Sequence, residues 1–210
     1  GQSINRYRYS CWMDGDDFWH PEKLEREYDA LNKKNAGFAY SNVITVDEAG
    51  KPKKVFHDYK TVPFPEGDIF IATVFRGVYS HSQNLFRNVL VNMELVDKHK
   101  IYRDITLPSL WDYDEKIRMA KHLKAVVGSQ EPTVYYRRHE GSFSNQKIWQ
   151  ESTSEAYKKI YEKFDEYFSG RSEIEIKLKN LVLEVEKLKE FVCSQSPATM
   201  GETANTLQDY

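Results

Sequence analysis

The sequence predicts an α/β fold with a helical C-terminal tail. Residues 7–13 (YRYSCWM) are rich in aromatic side chains and poor in strong helix formers, which favours a β-strand. The acidic run Asp14-Gly15-Asp16-Asp17 follows, and then an amphipathic helix over residues 21–34. Residues 38–46 (FAYSNVITV) predict a second strand. Strand, loop, helix and strand therefore alternate as they do in α/β domains.

Composition and charge exclude several classes of protein. Thirty basic residues against 32 acidic ones give a net charge of −2, so nucleic acid is not an expected partner. The two cysteines, Cys11 and Cys193, are too far apart for a metal motif and too few for a disulfide framework. No apolar run approaches the length of a membrane span. We therefore expect a cytoplasmic protein.

The acidic run is the first candidate site. In the helix that follows, Pro21 suits the first helical position, and Leu24, Tyr28 and Leu31 form one apolar face. The carboxylates therefore lie at the C-terminal end of a strand, where open α/β sheets bind ligands. A hard divalent cation, completed by water and substrate phosphates, fits such a cluster. The alternative is a solvated turn, whereas an EF-hand is excluded because Phe18 and Trp19 stand where a ligand and Gly belong.

Further along the chain the pattern predicts shorter elements. We expect strands over residues 55–59, 78–87 and 134–138, and helices over residues 89–96 and 113–123. Taken alone, Asp112 is expected to be the N-cap of the last helix. Asp114, two residues further, would lie on the opposite side of that helix and tolerate substitution well. Arg137 and Arg138 would point to opposite faces of a regular strand, so at most one serves a site.

The C-terminal region has a different character from residue 149 onward. Apolar residues recur at spacings of four and three between residues 174 and 192, with Glu and Lys between them. This pattern predicts either a short coiled coil that joins two copies of the chain or a helix packed on its own domain. We expect one domain over residues 1–148, a helical tail over 149–193 and a disordered end over 194–210.

Four segments of the chain carry a family resemblance: residues 9–24 (YSCWMDGDDFWHPEKL), 80–87 (SHSQNLFR), 111–120 (WDYDEKIRMA) and 134–144 (VYYRRHEGSFS). The first resembles the segment around the DxD motif of family 2 glycosyltransferases, which have the GT-A fold. The second resembles the strand before their acceptor-side loop, the third their "ED" segment and the fourth their "YRxHxxSxS" ending. The four segments occur in the same order as in the family. Together they predict a partial GT-A domain.

This resemblance implies a metal-dependent inverting enzyme that moves a sugar from a nucleotide-diphosphate sugar to a glycan or lipid-linked acceptor, at the inner face of the membrane. It implies Asp14 and Asp16 as ligands of Mn²⁺ or Mg²⁺, and Asp112 as the general base that takes the acceptor proton. The remaining implied site residues bind the donor diphosphate or lie on the acceptor side: Asp17, Arg137, Arg138 and His139 for the former, His81 and Trp111 for the latter.

The sequence also departs from the family pattern. Trp111 stands where the family has a Glu before the catalytic Asp, and the family's opening strand, helix and nucleotide-base pocket are absent. We therefore expect the C-terminal portion of a catalytic domain that is inactive by itself. A non-catalytic scaffold built on a degenerate transferase domain is the alternative. A phosphotransferase is disfavoured because no Gly-rich phosphate loop is present.

Overall fold

The computed structural model describes residues 7–55, 64–79, 88–142 and 146–195, and it has an α/β fold. The chain divides into two compact units, residues 1–157 and 158–210. In chain order the elements are β1 (Tyr9–Cys11), β2 (Phe18–Trp19), α1 (Lys23–Lys34), β3 (Phe38–Val46), β4 (Pro52–Val55), α2 (Phe70–Tyr79), β5 (Leu90–Asn92), α3 (Met93–His99), α4 (Trp111–His122), β6 (Ala125–Arg137), α5 (Lys147–Glu162), α6 (Phe164–Phe168) and α7 (Glu173–Gln195).

A six-stranded sheet forms the centre of the first unit. Its strand order is β1-β5-β3-β6-β2, with β4 paired to the far end of β3. Strands β3 and β6 are parallel and pair from Phe38 with Ala125 to Val46 with Arg137. Eight of the nine β3 residues are buried, as expected for a parallel strand that is covered on both faces.

The direction of the strands determines where the site lies. Strand β5 is antiparallel to both β1 and β3, so β1, β3 and β6 all run the same way. The segments that follow these three strands therefore meet at one edge of the sheet. Strand β2 pairs antiparallel with the end of β6, with Phe18 opposite Tyr135, which brings the acidic run to that edge as well.

Several predicted elements are confirmed. Strand β1 lies within the predicted strand over residues 7–13, β3 matches residues 38–46, and α4 matches the helix over residues 113–123 to within two residues. Strand β6 includes the predicted strand over 134–138 except its last residue, and it starts nine residues earlier. Helix α1 ends at Lys34, with Asn35 in the left-handed conformation as its C-cap.

Other predicted elements are wrong. Val78 and Tyr79 end the helix α2, where buried Phe70 and Val74 lie one turn apart, and residues 80–87 of that predicted strand lie outside the described residues. The helix predicted from residue 89 begins only at Met93, because Leu90–Asn92 pairs between β1 and β3 as β5. Tertiary pairing here overrides the local helical pattern.

Two further predictions fall mostly beyond the part of the chain that the structure describes. Of the strand predicted over residues 55–59, Val55 ends β4, and residues 56–59 lie outside the described residues. Of the end predicted to be disordered, residues 194 and 195 belong to α7, and residues 196–210 lie outside the described residues.

The apolar face of α1 was also predicted wrongly. Leu24 and Tyr28 are 43% and 47% exposed. The helix instead turns Lys23, Glu27 and Leu31 toward the protein interior. The buried face of the helix, which was expected to be apolar, therefore includes two charged side chains.

The second unit consists of the end of α5 together with α6 and α7. Phe164, Phe168 and Val182 are buried within it, and Lys179 forms an ion pair with Asp165 between α7 and α6. Ile174, Leu181 and Leu188 are exposed on α7 at seven-residue spacing. In the parts of the chain that the structure describes, no helix combines the length and the apolar character needed to cross a membrane.

Candidate functional site

Three segments meet at the carboxyl edge of the sheet: the acidic loop after β1 (residues 12–17), the turn after β3 (residues 47–50) and the segment after β6 (residues 138–142). The sequence places the acidic loop at a strand end, and the structure confirms that location. The partners that the other two segments supply depend on the strand pairing described above.

The side chains of Asp16 and His139 are in contact across this edge. His139 Nε2 lies 3.3 Å from Asp16 Oδ2, and the two side chains are 27% and 38% exposed. A tight turn fixes His139, because its N–H donates to Ser142 Oγ and the Ser142 N–H donates to the His139 carbonyl, both at 3.1 Å. The contact therefore joins a carboxylate and an imidazole that remain accessible to a ligand.

Arg137 ties the acidic loop to the turn after β3. Its Nε donates to the Asp16 carbonyl at 2.9 Å, and its Nη1 donates to the carbonyls of Asp47 and Glu48. Its guanidinium also lies 5.5 Å from the centre of the Phe18 ring. Because these donors bind backbone carbonyls, Arg137 is arranged to hold two loops together.

Asp17 faces the protein interior and is only 7% exposed. Its Oδ1 accepts a hydrogen bond from the Arg137 N–H at 3.1 Å, and its Oδ2 accepts one from Asn88 Nδ2 at 3.5 Å. The Asp17 N–H donates to the Asp14 carbonyl at 3.2 Å and closes the turn of the loop. This arrangement favours Asp17 as an anchor of the acidic loop over a direct contact with a diphosphate.

Arg138 has a different environment from its neighbour. Its N–H donates to the Val46 carbonyl at 2.9 Å, while the residue lies beside His139 and is exposed. It lines an open depression together with Asp47, Glu48, Lys53, His139 and Glu140. The two adjacent arginines therefore have different surroundings in the structure, and the prediction that at most one of them serves a site stays a prediction.

Asp112 lies in the first turn of α4 and does not cap it. The N-cap is Leu110, in the left-handed conformation at φ 55°, and it makes no side-chain cap bond. Asp112 Oδ2 lies 3.0 Å from Lys116 Nζ, one turn along the same helix. The expectation that Asp112 is the N-cap is therefore wrong.

Trp111 is connected to the acidic loop through Arg103. The Arg103 guanidinium lies 3.7 Å from the centre of the Trp111 ring and 5.2 Å from the centre of the Trp12 ring. This cation–π contact links the start of α4 to the residue that begins the acidic loop. His81, the other residue expected on the acceptor side, lies outside the described residues.

Asp114 differs sharply from Asp112. It is fully buried and accepts hydrogen bonds from Arg118 Nε at 3.0 Å and Arg118 Nη2 at 2.5 Å. The expectation that Asp114 tolerates substitution overlooks this burial, because α4 packs that side of the helix into the protein.

Sequence reasoning missed two residues near the acidic loop. Asn88 has a left-handed backbone at φ 58° and contacts Asp17. Lys23 is fully buried beneath it and donates to its carbonyl at 2.6 Å. The sequence carries only a weak signal for either residue, since an isolated Asn and a helical Lys are ordinary on a protein surface.

Comparisons with known proteins find similarity in structure but none in sequence. No protein-family model matches the chain, and no curated protein matches it. Solved structures of S. aureus TarS, a glycosyltransferase, do match. The complex of TarS residues 1–349 with UDP-GlcNAc gives a TM-score of 0.58 at 15% identity, over 76% of this chain and 43% of that one. The complex with UDP gives 0.53 at 14% identity, over 76% and 41%.

The chain has a glycosyltransferase-like fold. A further crystal structure of S. aureus TarS gives a TM-score of 0.53 at 11% identity, over 78% of this chain and 26% of that one. The chain thus spans less than half the length of the TarS structures that it matches. At these identities the likeness concerns the fold alone.

Proposed function

We propose that this chain belongs to a metal-dependent, inverting glycosyltransferase of family 2 that uses a nucleotide-diphosphate sugar. The observation that carries the proposal is the contact between Asp16 and His139, two potential ligands that lie 123 residues apart in the chain. The fold supports it, because the matching TarS structures hold UDP-GlcNAc and UDP. A uridine diphosphate sugar is therefore the donor class that we propose.

The residues at the edge fit a cation that a diphosphate helps to hold. Among the described residues, no group of three or more His, Cys, Asp or Glu side chains is arranged to hold a metal by itself. Mg²⁺ commonly takes only one or two protein ligands, with water and substrate phosphates completing its shell. Neighbouring ligands of an octahedral ion at about 2.1 Å lie roughly 3 Å apart. The Asp16–His139 separation of 3.3 Å suits such a pair, with Asp14 assisting from the same loop.

Binding of Mn²⁺ or Mg²⁺ would supply a Lewis acid that stabilises the negative charge of the leaving diphosphate. The cations around the adjacent depression, Arg138 and Lys53, would add charge stabilisation for the same oxygens. Arg137 and Asp17 keep the acidic loop in place for this purpose. We assign these roles because Asp16 and His139 are partly exposed at the edge, whereas Arg137 and Asp17 form hydrogen bonds within the protein.

Asp112 is the general base in this proposal. The acceptor hydroxyl attacks the anomeric carbon while the Asp112 carboxylate takes its proton, and the bond to the donor diphosphate breaks on the opposite side of the sugar. Such a base typically contributes about 10²–10⁴-fold to the rate. Trp111 would form part of the acceptor side. A glycan or lipid-linked acceptor reached from the cytoplasmic face of the membrane is the proposed substrate class.

Paramagnetic NMR tests the proposed donor site. With UDP present, Mn²⁺ should broaden the backbone amide signals of Asp16 and His139 first, whereas Mg²⁺ should shift them without broadening. The Asp16→Asn variant should abolish this selectivity. Broadening that centres on another part of the chain, or that persists in the variant, would contradict the proposal. In the protein that contains this chain, metal-dependent transfer with an inverted anomeric product tests the reaction itself.

We further propose that α7 joins two copies of the chain. Ile174, Leu181 and Leu188 are exposed at seven-residue spacing, whereas Val182 on another face of α7 is buried in the second unit. Charged residues flank the apolar stripe, as in coiled coils that pair with a second copy. The proposed seam runs over residues 174–192.

Light scattering decides whether this seam pairs. The double variant Leu181→Glu/Leu188→Glu should convert a dimer to a monomer. The matched double variant Glu173→Gln/Lys187→Gln alters charges on the same helix away from the stripe and should leave the dimer intact. A wild-type chain that is already monomeric at micromolar concentration would overturn the proposal.

A further inference from the structure

A buried ion pair lies on the inner face of α1, beneath the acidic loop. Lys23 and Glu27 are one helical turn apart, and both side chains are fully buried. Lys23 Nζ lies 2.7 Å from Glu27 Oε2. The helix approaches β6 closely here, since a Cβ built on Gly128 would lie 2.4 Å from Glu27 Cγ. The pair is therefore held in a tightly packed position with no access to solvent.

Every donor of the Lys23 ammonium has a partner. Besides Glu27, Lys23 Nζ donates to the Asn88 carbonyl at 2.6 Å and to Cys11 Sγ at 3.5 Å. The second carboxylate oxygen of Glu27 accepts a hydrogen bond from Ser41 Oγ at 2.8 Å. The cluster thus connects β1, α1 and β3 with the segment that leads into β5.

Asn88 connects this cluster to the acidic loop. Its carbonyl accepts hydrogen bonds from both Lys23 Nζ and Cys11 Sγ, the latter at 3.0 Å. With its backbone held in the left-handed conformation, its side-chain amide points to Asp17 Oδ2 at 3.5 Å. Asp17 is the residue that immediately follows Asp16, so the orientation of Asn88 bears on the position of the proposed metal ligand.

The arrangement is costly if its only purpose is stability. Burial raises the pKa of Glu27, and burial raises the pKa of Cys11 to about 12, so the thiol stays protonated beside the ammonium. Replacing a buried ion pair by apolar residues of similar volume is often neutral or even stabilising. A pair of apolar side chains at these two positions would therefore suffice for packing.

We propose that the Lys23–Glu27 pair and Asn88 are positioning residues that orient the acidic loop for the donor and its metal. The proposal rests on the proposed function for its ligand and on the geometry above for its mechanism. Lys23 holds the Asn88 carbonyl, Glu27 holds Lys23, and the Asn88 amide holds Asp17. None of the three residues contacts the substrate.

The variant Asn88→Gly tests the last link with the least disturbance. Glycine accepts a positive φ readily and keeps the carbonyl that Lys23 and Cys11 bind, so the melting temperature should change little. Only the amide that contacts Asp17 is lost. We expect Mn²⁺ to bind about tenfold more weakly in the presence of UDP, as for outer-shell partners of metal ligands. The Arg137 amide, which donates to Asp17 Oδ1, should exchange with solvent faster.

The double variant Lys23→Met/Glu27→Met tests the first link. It removes both charges together, so the chain should fold, while Mn²⁺ affinity falls by a similar factor. The matched control is Glu22→Met/Arg26→Met, a partly exposed ion pair at the same spacing, with Arg26 Nη2 2.6 Å from Glu22 Oε2 and the two side chains 39% and 54% exposed. That control should bind Mn²⁺ as the wild type does.

The outcomes separate this inference from the proposed function. If Asn88→Gly folds and leaves both the Arg137 exchange rate and the Mn²⁺ affinity unchanged, the positioning role is wrong. If the Lys23→Met/Glu27→Met variant folds and binds Mn²⁺ normally, the ion pair is structural only and the inference is overturned. If the protein that contains this chain binds neither Mn²⁺ nor UDP, the proposed function fails, whereas faster Arg137 exchange in Asn88→Gly would still support the control of Asp17 by Asn88.

Discussion

Asp16 and Asp17 contact residues that lie 123 and 120 positions away in the chain, whereas Asp112 and Asp114 pair with side chains four positions away on their own helix. Both acidic clusters look similar in the sequence. The first is held by partners from β6 and its following segment and from the segment that leads into β5. The second is neutralised within α4.

This difference separates two functions of a carboxylate. A carboxylate with a local partner is explained by helix stability, and its presence needs no ligand. A partly exposed carboxylate that lies beside other carboxylates and contacts a distant segment of the chain is placed where a cation can relieve the electrostatic repulsion. Asp16 belongs to the second class by its contacts. Asp112 belongs to the first class by its contacts and enters the proposed site through the resemblance.

The largest effect is expected at Asp16. Asp16→Asn keeps the size of the side chain and removes the charge, so metal-dependent transfer in the protein that contains this chain should fall by at least about 100-fold. The melting temperature should hardly change, because the residue is in a partly exposed loop. Asp29→Asn, which makes the same change at an exposed carboxylate of α1, is the matched control and should retain activity. Near-normal activity of Asp16→Asn would exclude Asp16 as a ligand.

An effect of similar size, but on turnover alone, is expected at Asp112. Asp112→Asn should lower turnover by about 10²–10⁴-fold and leave donor affinity nearly unchanged, because a general base acts on the acceptor proton in the transition state. Steady-state kinetics and donor titration on the same variant check the two quantities separately. Equal losses in turnover and donor affinity, or a loss that merely follows a lower melting temperature, would show that Asp112 is not the base.

The position of the acidic loop could be predicted from the sequence, because the strands around it are strongly apolar or aromatic. Strand β3 was predicted over its observed length, and the acidic loop was placed at the correct end of a strand. The contact between Asp16 and His139 could not be derived from periodicity. It depends on β1 and β6 running in the same direction within one sheet, which is a property of long-range pairing.

The inner face of α1 shows the clearest failure of pattern reasoning. Leu24, Tyr28 and Leu31 form the more apolar stripe, yet Lys23 and Glu27 are the residues that are buried beside Leu31. Hydrophobic periodicity assumes that a buried charge is too costly to occur. Here each charge compensates the other, and distant partners at Cys11, Ser41 and Asn88 complete their hydrogen bonds. No single sequence reveals such partners.

A stability effect is expected at Asp114, on the buried side of α4. Asp114→Asn removes the negative charge that Arg118 meets with two nitrogens in the interior. Breaking one partner of a buried pair costs roughly 3–5 kcal/mol, so the free energy of unfolding measured with urea should fall by about 3 kcal/mol. Turnover of the folded protein should stay normal. An unchanged free energy of unfolding would mean that solvent or another group compensates Arg118.

The smallest effect is expected at Lys116, and it tests whether the local pair of Asp112 matters for the site. Lys116 Nζ lies 3.0 Å from Asp112 Oδ2, and the Asp112 side chain is 42% exposed. Helical pairs of this kind contribute about 0.3–0.5 kcal/mol, so Lys116→Met should leave the melting temperature nearly unchanged.

If Asp112 is the base, freeing it from Lys116 leaves the carboxylate in place, and turnover should stay within about twofold of the wild type. A loss of turnover as large as that of Asp112→Asn would instead assign Lys116 to the site. Unchanged turnover in both variants would return Asp112 to a purely local role in α4. The acidic loop, whose aspartates contact distant residues, would then form the site without Asp112.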